Sequence, residues 1–436
     1  MNKDPVMSQE PTRPFALRAL MLIAVAALTA FWVAAPAGCF LYKDDPLYCP
    51  GMPNNTCVDT KPCKGDGDCD APKGVCDVGE SGVCVECTAS AAAACVGNEP
   101  VCGAEKACRG CSGHGECGSG ACLPDGACGE DSNVAYVGPT GSGTSCTRSA
   151  PCKTVDAALK TNRPYVKFVG TTDEAVVVEN GRVVTFLAEP GAKLTRSNNG
   201  ILVEVKGGAK LEVYDLELTG ASGAAGIGIS MPAGTPSTVM LRRAKVTNNS
   251  GGGVVAVGGT LRVEQSTVSG NAGGGISVSG GTFDITNSFI YRNGNQDNST
   301  FGGLNLGVAV ATGNRLEFNT IVDNRAAINS GGVVCNVATF AAGNNIIARN
   351  TLGGIATDVA QESGDCTYPA SRVQNDVTGL GFVSPEPPAP FNYHLQAGSM
   401  AIDQGTSPST VAVDVDGDVR PQGGQKDLGA DEYKAN

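Results

Sequence analysis

Residues 260–293 read TLRVEQSTVSGNAGGGISVSGGTFDITNSFIYRN, a stretch that holds one complete unit of a longer repeat and the start of the next. Each unit contains an asparagine that follows an aliphatic residue by three positions, as in Val268-Ser-Gly-Asn271. A pair of mostly apolar residues precedes this asparagine by ten and eight positions, and a glycine run with another aliphatic alternation follows it. The asparagine recurs at spacings of 22, 22, 31 and 26 residues, at Asn249, Asn271, Asn293, Asn324 and Asn350.

Alternating aliphatic residues over a few positions are typical of short strands with one buried face. Three such strands fit within one unit of the repeat only if the chain coils and each turn stacks on the last at about 4.8 Å. An asparagine at the same bend of every turn can join its neighbours through a ladder of side-chain amides, and it tolerates the left-handed backbone of a tight corner. The repeat therefore predicts an all-β fold, a parallel β-helix or solenoid, with an internal asparagine ladder.

Two regions outside the repeat resemble known proteins. Segment 135–159 is similar to the start of many extracellular β-helix proteins, in which a strand and a glycine turn lead to a short helix, here 156–160. The closing segments resemble the C-terminal region of bacterial β-helix proteins classed as having a choice-of-anchor domain; they are 391–395, 399–405, 414–420 and 427–432. The resemblance covers roughly residues 131–436 and implies a right-handed helix at the cell surface, in agreement with the general handedness of parallel crossovers.

The composition agrees with a solenoid of thin coils and limits the function. Glycine accounts for 60 of the 436 residues, whereas aromatic residues make up only 5%. The net charge of −12 repels the phosphates of nucleic acids, so nucleic-acid binding is excluded. Two histidines, His114 and His394, leave little material for histidine-based catalysis or a histidine-rich metal site.

The N-terminus has the organisation of a secretory signal. Basic residues precede the apolar run 19–35, and small residues lead from there to Cys39. This end resembles the lipobox of bacterial lipoproteins, although Pro36 stands where that family usually carries leucine. The resemblance implies a lipid on Cys39, and Phe40 in place of aspartate after it favours the outer membrane or cell surface. Plain cleavage near Ala37 and an uncleaved single span are the alternatives.

Fourteen of the 19 cysteines lie between Cys49 and Cys128, in a segment with too few aliphatic residues to bury a core. Because the protein is expected to be exported, this density predicts a module held by disulfides. A zinc site is the alternative, since two cysteine pairs have the spacing of metal ligands: Cys84 with Cys87, and Cys108 with Cys111.

Four further cysteines lie within the predicted solenoid. Cys146 and Cys152 are expected to pair across the loop between them. With Cys39 lipidated the remaining count is even, and parity then pairs Cys335 with Cys366. The repeat points Cys335 inward, where a buried free thiol is the alternative.

These features divide the chain into a signal peptide (1–38), a tether (39–56), a cysteine-rich disulfide module (57–130), the parallel β-helix (131–383) and a C-terminal acidic cap (384–436) that closes its far end. The cap contains Asp414, Asp416 and Asp418 on one predicted turn, and clustered carboxylates of this kind suit calcium. The alternative is structural: the acidic side chains of the cap accept hydrogen bonds from backbone groups and pair with Arg420.

The residues that alternate with the buried positions point outward and form rows over successive turns. One row contains Arg262, Asp284 and Arg315, and the next contains Glu264 and Glu317. One interpretation is a groove for an acidic polysaccharide, because β-helix lyases and hydrolases carry their chemistry on such a face. However, acids and bases are mixed along the rows, and Glu264 and Glu317 are two turns apart, roughly 10 Å. This pattern favours a solvated face without a catalytic pair.

Two classes of function fit these observations. The first is a lipid-anchored, non-catalytic scaffold or adhesion protein of the outer membrane or cell surface. Its expected partners are the membrane, through the N-terminal lipid, and a polysaccharide or another surface protein. The second is a secreted polysaccharide lyase or glycoside hydrolase that acts in a groove of the β-helix. The sequence favours the first, with no cofactor expected other than calcium in the acidic cap.

Overall fold

The computed structural model describes residues 62–79, 81–308, 312–406 and 409–435. The predicted signal peptide, the predicted tether and Cys39 lie outside these residues. The chain divides into two compact units, one that ends at Thr88 and one that begins at Ala89. This division falls within the predicted cysteine-rich module, so the later cysteine repeats belong to the same compact unit as the solenoid.

The cysteine-rich region consists of short hairpins and single 3-10 turns held by disulfides. In the first unit, the antiparallel strands are β1 (Val75–Cys76) and β2 (Cys84–Val85), after a 3-10 turn at Asp66–Asp68. In the second unit, the antiparallel strands are β3 (Val101–Cys102) and β4 (Cys108–Arg109), with 3-10 turns at Ala89–Ala94, His114–Glu116 and Asp131–Asn133. The disulfides include Cys63–Cys76, Cys69–Cys84, Cys95–Cys108, Cys111–Cys122 and Cys117–Cys128, and Cys87 and Cys102 are disulfide-bonded as well. They confirm the prediction of a disulfide-rich module.

The rest of the second unit is a parallel β-solenoid of about eight turns, as predicted. Its strands, in chain order, are β5 (Val134–Val137), β6 (Tyr165–Phe168), β7 (Thr171–Asp173), β8 (Val176–Val178), β9 (Val183–Ala188), β10 (Lys193–Thr195), β11 (Val203–Val205), β12 (Lys210–Tyr214), β13 (Glu217–Thr219), β14 (Ile227–Met231), β15 (Thr238–Arg242), β16 (Lys245–Thr247), β17 (Gly252–Ala256), β18 (Thr260–Glu264), β19 (Thr267–Ser269), β20 (Ile276–Val278), β21 (Thr282–Thr286), β22 (Phe289–Tyr291), β23 (Leu304–Leu306), β24 (Arg315–Glu317), β25 (Thr320–Val322), β26 (Arg325–Ala326), β27 (Val333–Cys335), β28 (Ile346–Ala348), β29 (Thr351–Leu352), β30 (Glu362–Gly364) and β31 (Arg372–Gln374). Two short helices accompany them, α1 (Val155–Lys160) and α2 (Asp358–Gln361).

Successive strands of one turn belong to three different sheets. Sheet 1 contains β5, β6, β9, β12, β15, β18, β21 and β24. Sheet 2 contains β7, β10, β13, β16, β19, β22, β25, β28 and β31. Sheet 3 contains β8, β11, β14, β17, β20, β23, β27 and β30. The short strands β26 and β29 pair with each other outside these sheets.

Alternating side chains explain why these short segments form a coil. In β18, Leu261 and Val263 are fully buried, whereas Arg262 between them is exposed. The parallel register places Leu261 beside Phe283 and Val263 beside Ile285 on the next turn. Burial of each such side chain contributes roughly 1.5–3 kcal/mol, so the stacked interior stabilises strands that would be too short to persist alone.

The five repeated asparagines lie fully buried at the corner between sheets 2 and 3. Each of the first four donates from Nδ2 to the Oδ1 of the asparagine on the next turn, at 2.9–3.0 Å. The same Oδ1 accepts the backbone N–H of the donor residue, at 2.9–3.2 Å. The second Nδ2 hydrogen goes to a backbone carbonyl, which for Asn293 is that of Val268 at 2.9 Å. The result is a continuous ladder that ends on Gln361, whose Oε1 accepts from Asn350 at 3.1 Å.

The left-handed backbone at this corner does not belong to the ladder asparagines, contrary to our prediction. It belongs to the residue before them, with φ of 53° at Asn248, 55° at Arg292 and 58° at Asp323. This arrangement leaves each asparagine free to turn its amide into the interior. The glycine run that follows is needed for close stacking, because a Cβ on Gly275 would lie 2.4 Å from the carbonyl oxygen of Gly303.

A second buried ladder, which the sequence analysis missed, lies at the corner between sheets 1 and 2. Its side chains are those of Ser266, Ser288, Asn319, Asn345 and Ser371. Each of these side chains accepts the backbone N–H of the residue on the preceding turn, at 2.9–3.2 Å. The ladder mixes serine with asparagine, so no single residue type repeats and the pattern is hard to see in the sequence.

The two ends of the solenoid are closed by short helices. At the first end, α1 buries Val155 and Ala158 against the core. At the other end, α2 contributes the ladder residue Gln361. Among the described residues, no helix has the length and apolar character needed to span a membrane.

The acidic segment 384–436, which we predicted to close the far end, lies along the side of the solenoid. Its described part packs on the outer face of sheet 2 and contains β33 (Asn392–Leu395), which pairs with the antiparallel strand β32 (Phe382–Ser384). The reason is that the last strands of sheet 2 carry apolar side chains on their outer face, and the segment buries them.

We expect Asn293→Ala to lower the free energy of unfolding by about 2–6 kcal/mol, because it leaves the backbone N–H and one Nδ2 hydrogen of Asn271 buried without an acceptor. The matched control is Asn305→Ala, since Asn305 lies on the outer face of sheet 3 and donates only to the Ser277 hydroxyl. Urea unfolding followed by circular dichroism measures both changes. Equal effects of the two substitutions would contradict a stabilising ladder.

Candidate functional site

The charged residues predicted on the outer face of sheet 1 are brought together, and they form ion pairs with one another. Arg315 binds Asp284 through two parallel hydrogen bonds, at 2.7 and 2.9 Å. Arg262 lies 2.8 Å from Glu264 and 3.4 Å from Asp284. Glu317 accepts a hydrogen bond from the hydroxyl of Ser409 at 2.7 Å. The face is therefore a neutralising network of alternating charges.

Within this network, Glu264 and Asp284 are both paired with guanidinium groups. Hydrolysis needs one carboxylic acid that donates a proton and a second carboxylate across the scissile bond. Here Asp284 lies between two guanidinium groups, and the hydrogen bond from Arg315 to Asp284 raises the pKa of that arginine. Arg315 is thus engaged as the charge partner of Asp284.

The alternative of a zinc site in the cysteine-rich module is excluded for the four cysteines that suggested it. Cys84, Cys87, Cys108 and Cys111 are all disulfide-bonded, so they carry no thiolate for a metal. Farther along the chain, Cys146 is bonded to Cys152, and Cys335 to Cys366. The latter pair lies in the solenoid interior near its end.

The three aspartates considered for calcium do not point to a common centre. Asp414 is fully buried, and its Oδ1 accepts the N–H groups of Asp416 and Asp418 at 3.0 and 2.8 Å. The carboxylate of Asp418 lies 3.4 Å from Lys434, and that of Asp416 lies 2.9 Å from His394. Asp414 therefore shapes the turn in the way that the structural alternative predicted. Among the described residues, the carboxylates that do converge with a histidine are Asp416 and Asp431, around His394.

A buried charge cluster holds this acidic segment together. Arg420 is almost fully buried and donates to Glu432 at 2.9 Å and to the carbonyl of Gly429 at 2.9 Å. Its guanidinium also lies 4.8 Å from the ring centre of Phe318 on the solenoid. Asp427 accepts two backbone N–H groups, and its burial raises its pKa to about 6. The cluster is shaped for internal hydrogen bonding, and its charged groups are turned away from solvent.

Polar side chains at two corners of the solenoid attach the segment to the outer face of sheet 2. At the corner with sheet 1, Gln265 and Asn287 donate to the backbone carbonyls of Asp414 and Val413, at 2.8 and 2.6 Å. At the corner with sheet 3, the hydroxyl of Tyr393 donates to Asp323.

Between these corners the segment packs tightly against the sheet. At Gly429 the segment lies too close to the sheet for a side chain to fit. Its φ is 85°, and a Cβ at this position would lie 2.6 Å from the hydroxyl oxygen of Thr320. The next residue, Ala430, donates its N–H to the same hydroxyl at 3.0 Å. Sequence analysis could have found this docking face, because β25 and β28 are apolar on both of their faces.

A cavity of about 940 Å³ lies between the later cysteine loops and the corner of sheets 1 and 2. His114 lines it, but both of its ring nitrogens are engaged. Its Nδ1 accepts the N–H of Cys122 at 3.0 Å, and its Nε2 donates to the carbonyl of Ala188 at 3.1 Å. The pKa of His114 is lowered, mainly by burial, and Asp215 pairs with Arg243 at 2.7 Å. His114 is therefore not a free base, and its hydrogen bond to Ala188 joins the cysteine loops to the first turns of the solenoid.

Lys167 lies next to this cavity, 3.2 Å from Glu189, which is part of the lining. Burial lowers the pKa of Lys167 to about 8, a value that could suit a nucleophile. Its side chain is nevertheless fully buried, so no substrate could reach the amine. We assign Lys167 a structural role.

Comparisons with known proteins add little to this picture. No protein-family model matches the chain, and no curated protein sequence matches it. Among solved structures, the crystal structure of pectate lyase Pel9A is similar to this chain with a TM-score of 0.43 and 15% sequence identity. The match covers 69% of this chain and 96% of that one. A likeness this distant carries no information about activity.

We expect Arg420→Met to lower the free energy of unfolding by about 3–5 kcal/mol, since it leaves Glu432 buried without its charge partner. The matched control is Arg262→Met, which removes an exposed pair and should cost less than about 1 kcal/mol. Urea unfolding followed by tyrosine fluorescence reports on the segment through Tyr393 and Tyr433. If Arg420→Met were as mild as Arg262→Met, the buried cluster would not be holding the segment.

Proposed function

We propose that this chain is a lipid-anchored surface scaffold or adhesion protein that acts by presenting a rigid β-solenoid outside the cell, without catalysis. The solenoid provides the frame, and in the sequence the cysteine-rich region lies between it and the proposed anchor at Cys39. The partner is a polysaccharide or another surface protein. The site of action is the outer membrane or cell surface.

The observation that carries the non-catalytic part is the state of the outer face of sheet 1. Its charged side chains neutralise one another through the pairs Arg315–Asp284 and Arg262–Glu264. A catalytic face keeps at least one carboxylate or base free to move a proton to or from the substrate. A structural face has the opposite requirement, because unpaired charges stacked on neighbouring turns would repel one another.

The disulfides support export, and the N-terminal sequence supports both export and the lipid anchor. Disulfides persist in oxidising compartments, and disulfides are found both in the cysteine-rich region and at Cys146–Cys152 within the solenoid. The N-terminal apolar run and the lipobox-like Pro36-Ala-Gly-Cys39 supply a route out of the cytoplasm and a lipid attachment site. The resemblance of the C-terminal segments to choice-of-anchor proteins of the bacterial surface agrees with this location.

The anchor is tested by labelling cells with a clickable palmitate analogue. We expect the wild-type chain and Phe40→Ala to be labelled and Cys39→Ala to be unlabelled, because only the Cys39 thiol can receive the diacylglycerol. Fractionation of the same cells should place the wild type with the membranes. Equal labelling of wild type and Cys39→Ala would refute the lipid anchor.

The absence of catalysis is tested separately with purified chain. We expect no release of unsaturated uronate from polygalacturonate or alginate, measured by ultraviolet absorbance with and without added Ca²⁺, and no new reducing ends. A commercial pectate lyase serves as the positive control. Product formation that disappears in Asp284→Asn would overturn the scaffold proposal in favour of a polysaccharide-degrading enzyme.

A further inference from the structure

The docking of the acidic segment creates a cluster of three metal-binding side chains that the sequence does not show. All three side chains belong to the acidic segment: His394 lies on β33, and Asp416 and Asp431 lie on two later loops. One donor atom from each of these residues lies within 4.8 Å of the other two. The cluster shares only Asp416 with the three aspartates considered above for calcium, because Asp414 and Asp418 are engaged elsewhere.

The histidine ring is held in the orientation that a metal ligand needs. Its Nδ1 lies 2.5 Å from the side-chain oxygen of Asn392, which can only accept a hydrogen bond. With a proton on Nδ1, the other ring nitrogen, Nε2, faces Asp416 Oδ2 at 2.9 Å and donates a hydrogen bond to it, which raises the pKa of His394. A metal ion would replace this Nε2 proton and bind the lone pair that its release exposes. The ring also packs edge-on against Phe289 of the solenoid, with centroids 4.9 Å apart. Metal-bound histidines characteristically donate their second N–H to an oxygen in this way.

The two carboxylates differ in exposure, and together they give a site that is fixed on one side and open on the other. Asp431 is more than nine-tenths buried, and its Oδ2 accepts the N–H of Leu395 at 2.6 Å, which fixes its orientation. The side chain of Asp416 is 58% exposed. An ion could therefore enter from the side of Asp416 and complete its coordination with water.

The local charge favours a cation at this place. Asp414 adds a third carboxylate that acts on both His394 and Asp431. The nearby basic groups are committed to other acids: Arg420 to Glu432 and Lys434 to Asp418. When the imidazole releases its Nε2 proton on metal binding, the two carboxylates carry two negative charges, which one divalent ion balances.

We propose that His394, Asp416 and Asp431 bind a divalent transition-metal ion, with Zn²⁺ as the representative species. One imidazole nitrogen with two carboxylate oxygens suits zinc, which takes such ligands at roughly 2.0–2.2 Å and accepts water as the fourth. Calcium fits less well, since it prefers six to eight oxygen ligands. The ion joins β33 to the later loops of the acidic segment and so stabilises the segment where it covers sheet 2. The proposal is independent of whether the protein is a scaffold or an enzyme.

The test is calorimetric titration of the full chain with ZnCl₂, after treatment with EDTA and removal of the chelator. We expect one ion per chain for the wild type, with unchanged binding in Asp418→Asn, a neighbouring carboxylate outside the site. Asp416→Asn and His394→Ala should each weaken binding at least tenfold. Asn392→Ala should weaken it by about tenfold to a hundredfold through loss of the ring orientation.

Circular dichroism shows whether each variant is folded. Asp416→Asn is the key variant, because the side chain of Asp416 is exposed and its replacement should not disturb the core. Two results would overturn the proposal: the absence of saturable binding of one Zn²⁺ per chain, or wild-type affinity in folded Asp416→Asn. Replacement of Zn²⁺ by Ca²⁺ with equal affinity would also contradict it, because the imidazole would then contribute nothing.

Discussion

The buried asparagine ladder is the interaction on which the rest of the solenoid depends. At each corner the chain leaves one sheet and enters the next, so its backbone N–H groups lose the regular strand partners and need other acceptors. The Oδ1 of Asn293 provides one for the N–H of Asn271 and another for its side chain. The ladder also fixes the alignment of successive turns. The insertion between Asn293 and Asn324 loops outward while the rung between them keeps a length of 2.9 Å.

The position of the C-terminal acidic segment depends on the outer face of sheet 2. The outer face of sheet 2 is polar in the earlier turns, where Lys193 pairs with Glu217, and apolar in the last ones, where Val322 and Ile346 are buried. The acidic segment covers this apolar face. Its buried charged groups form ion pairs and hydrogen bonds that hold the segment in place. This explains why a chain with a net charge of −12 buries several of its acids beside a single arginine, Arg420.

The sequence predicted those parts of the structure that repeat. The alternation in segments such as Leu261-Arg-Val263 and the recurring asparagine were sufficient for the parallel solenoid and the ladder position. The second ladder was missed because Ser288 and Asn319 accept the equivalent backbone hydrogen bond with different side chains. The placement of the acidic segment could not be read from local pattern, since it depends on contacts such as Gln265 with Asp414, 149 residues apart.

Of the candidate sites, one was likewise predictable from the sequence and the other was not. The charged rows of sheet 1 were predictable because outward positions follow directly from the strand period. The convergence of His394 with Asp416 and Asp431 was not, because it arises only when the segment docks. Electrostatics then distinguishes the two: the rows neutralise themselves, whereas the docked cluster retains an excess of negative charge.

The corner between sheets 2 and 3 is a buried interior held by amide hydrogen bonds, and the fold depends on it. Hydrogen exchange of the backbone amides of Asn249, Asn271, Asn293 and Asn324 tests it most directly, because each of these N–H groups bonds to the next ladder residue. The account predicts that they exchange as slowly as the central strand amides, only through global unfolding. Exchange at the rate of exposed turns would show that the corners open independently, and would contradict the account.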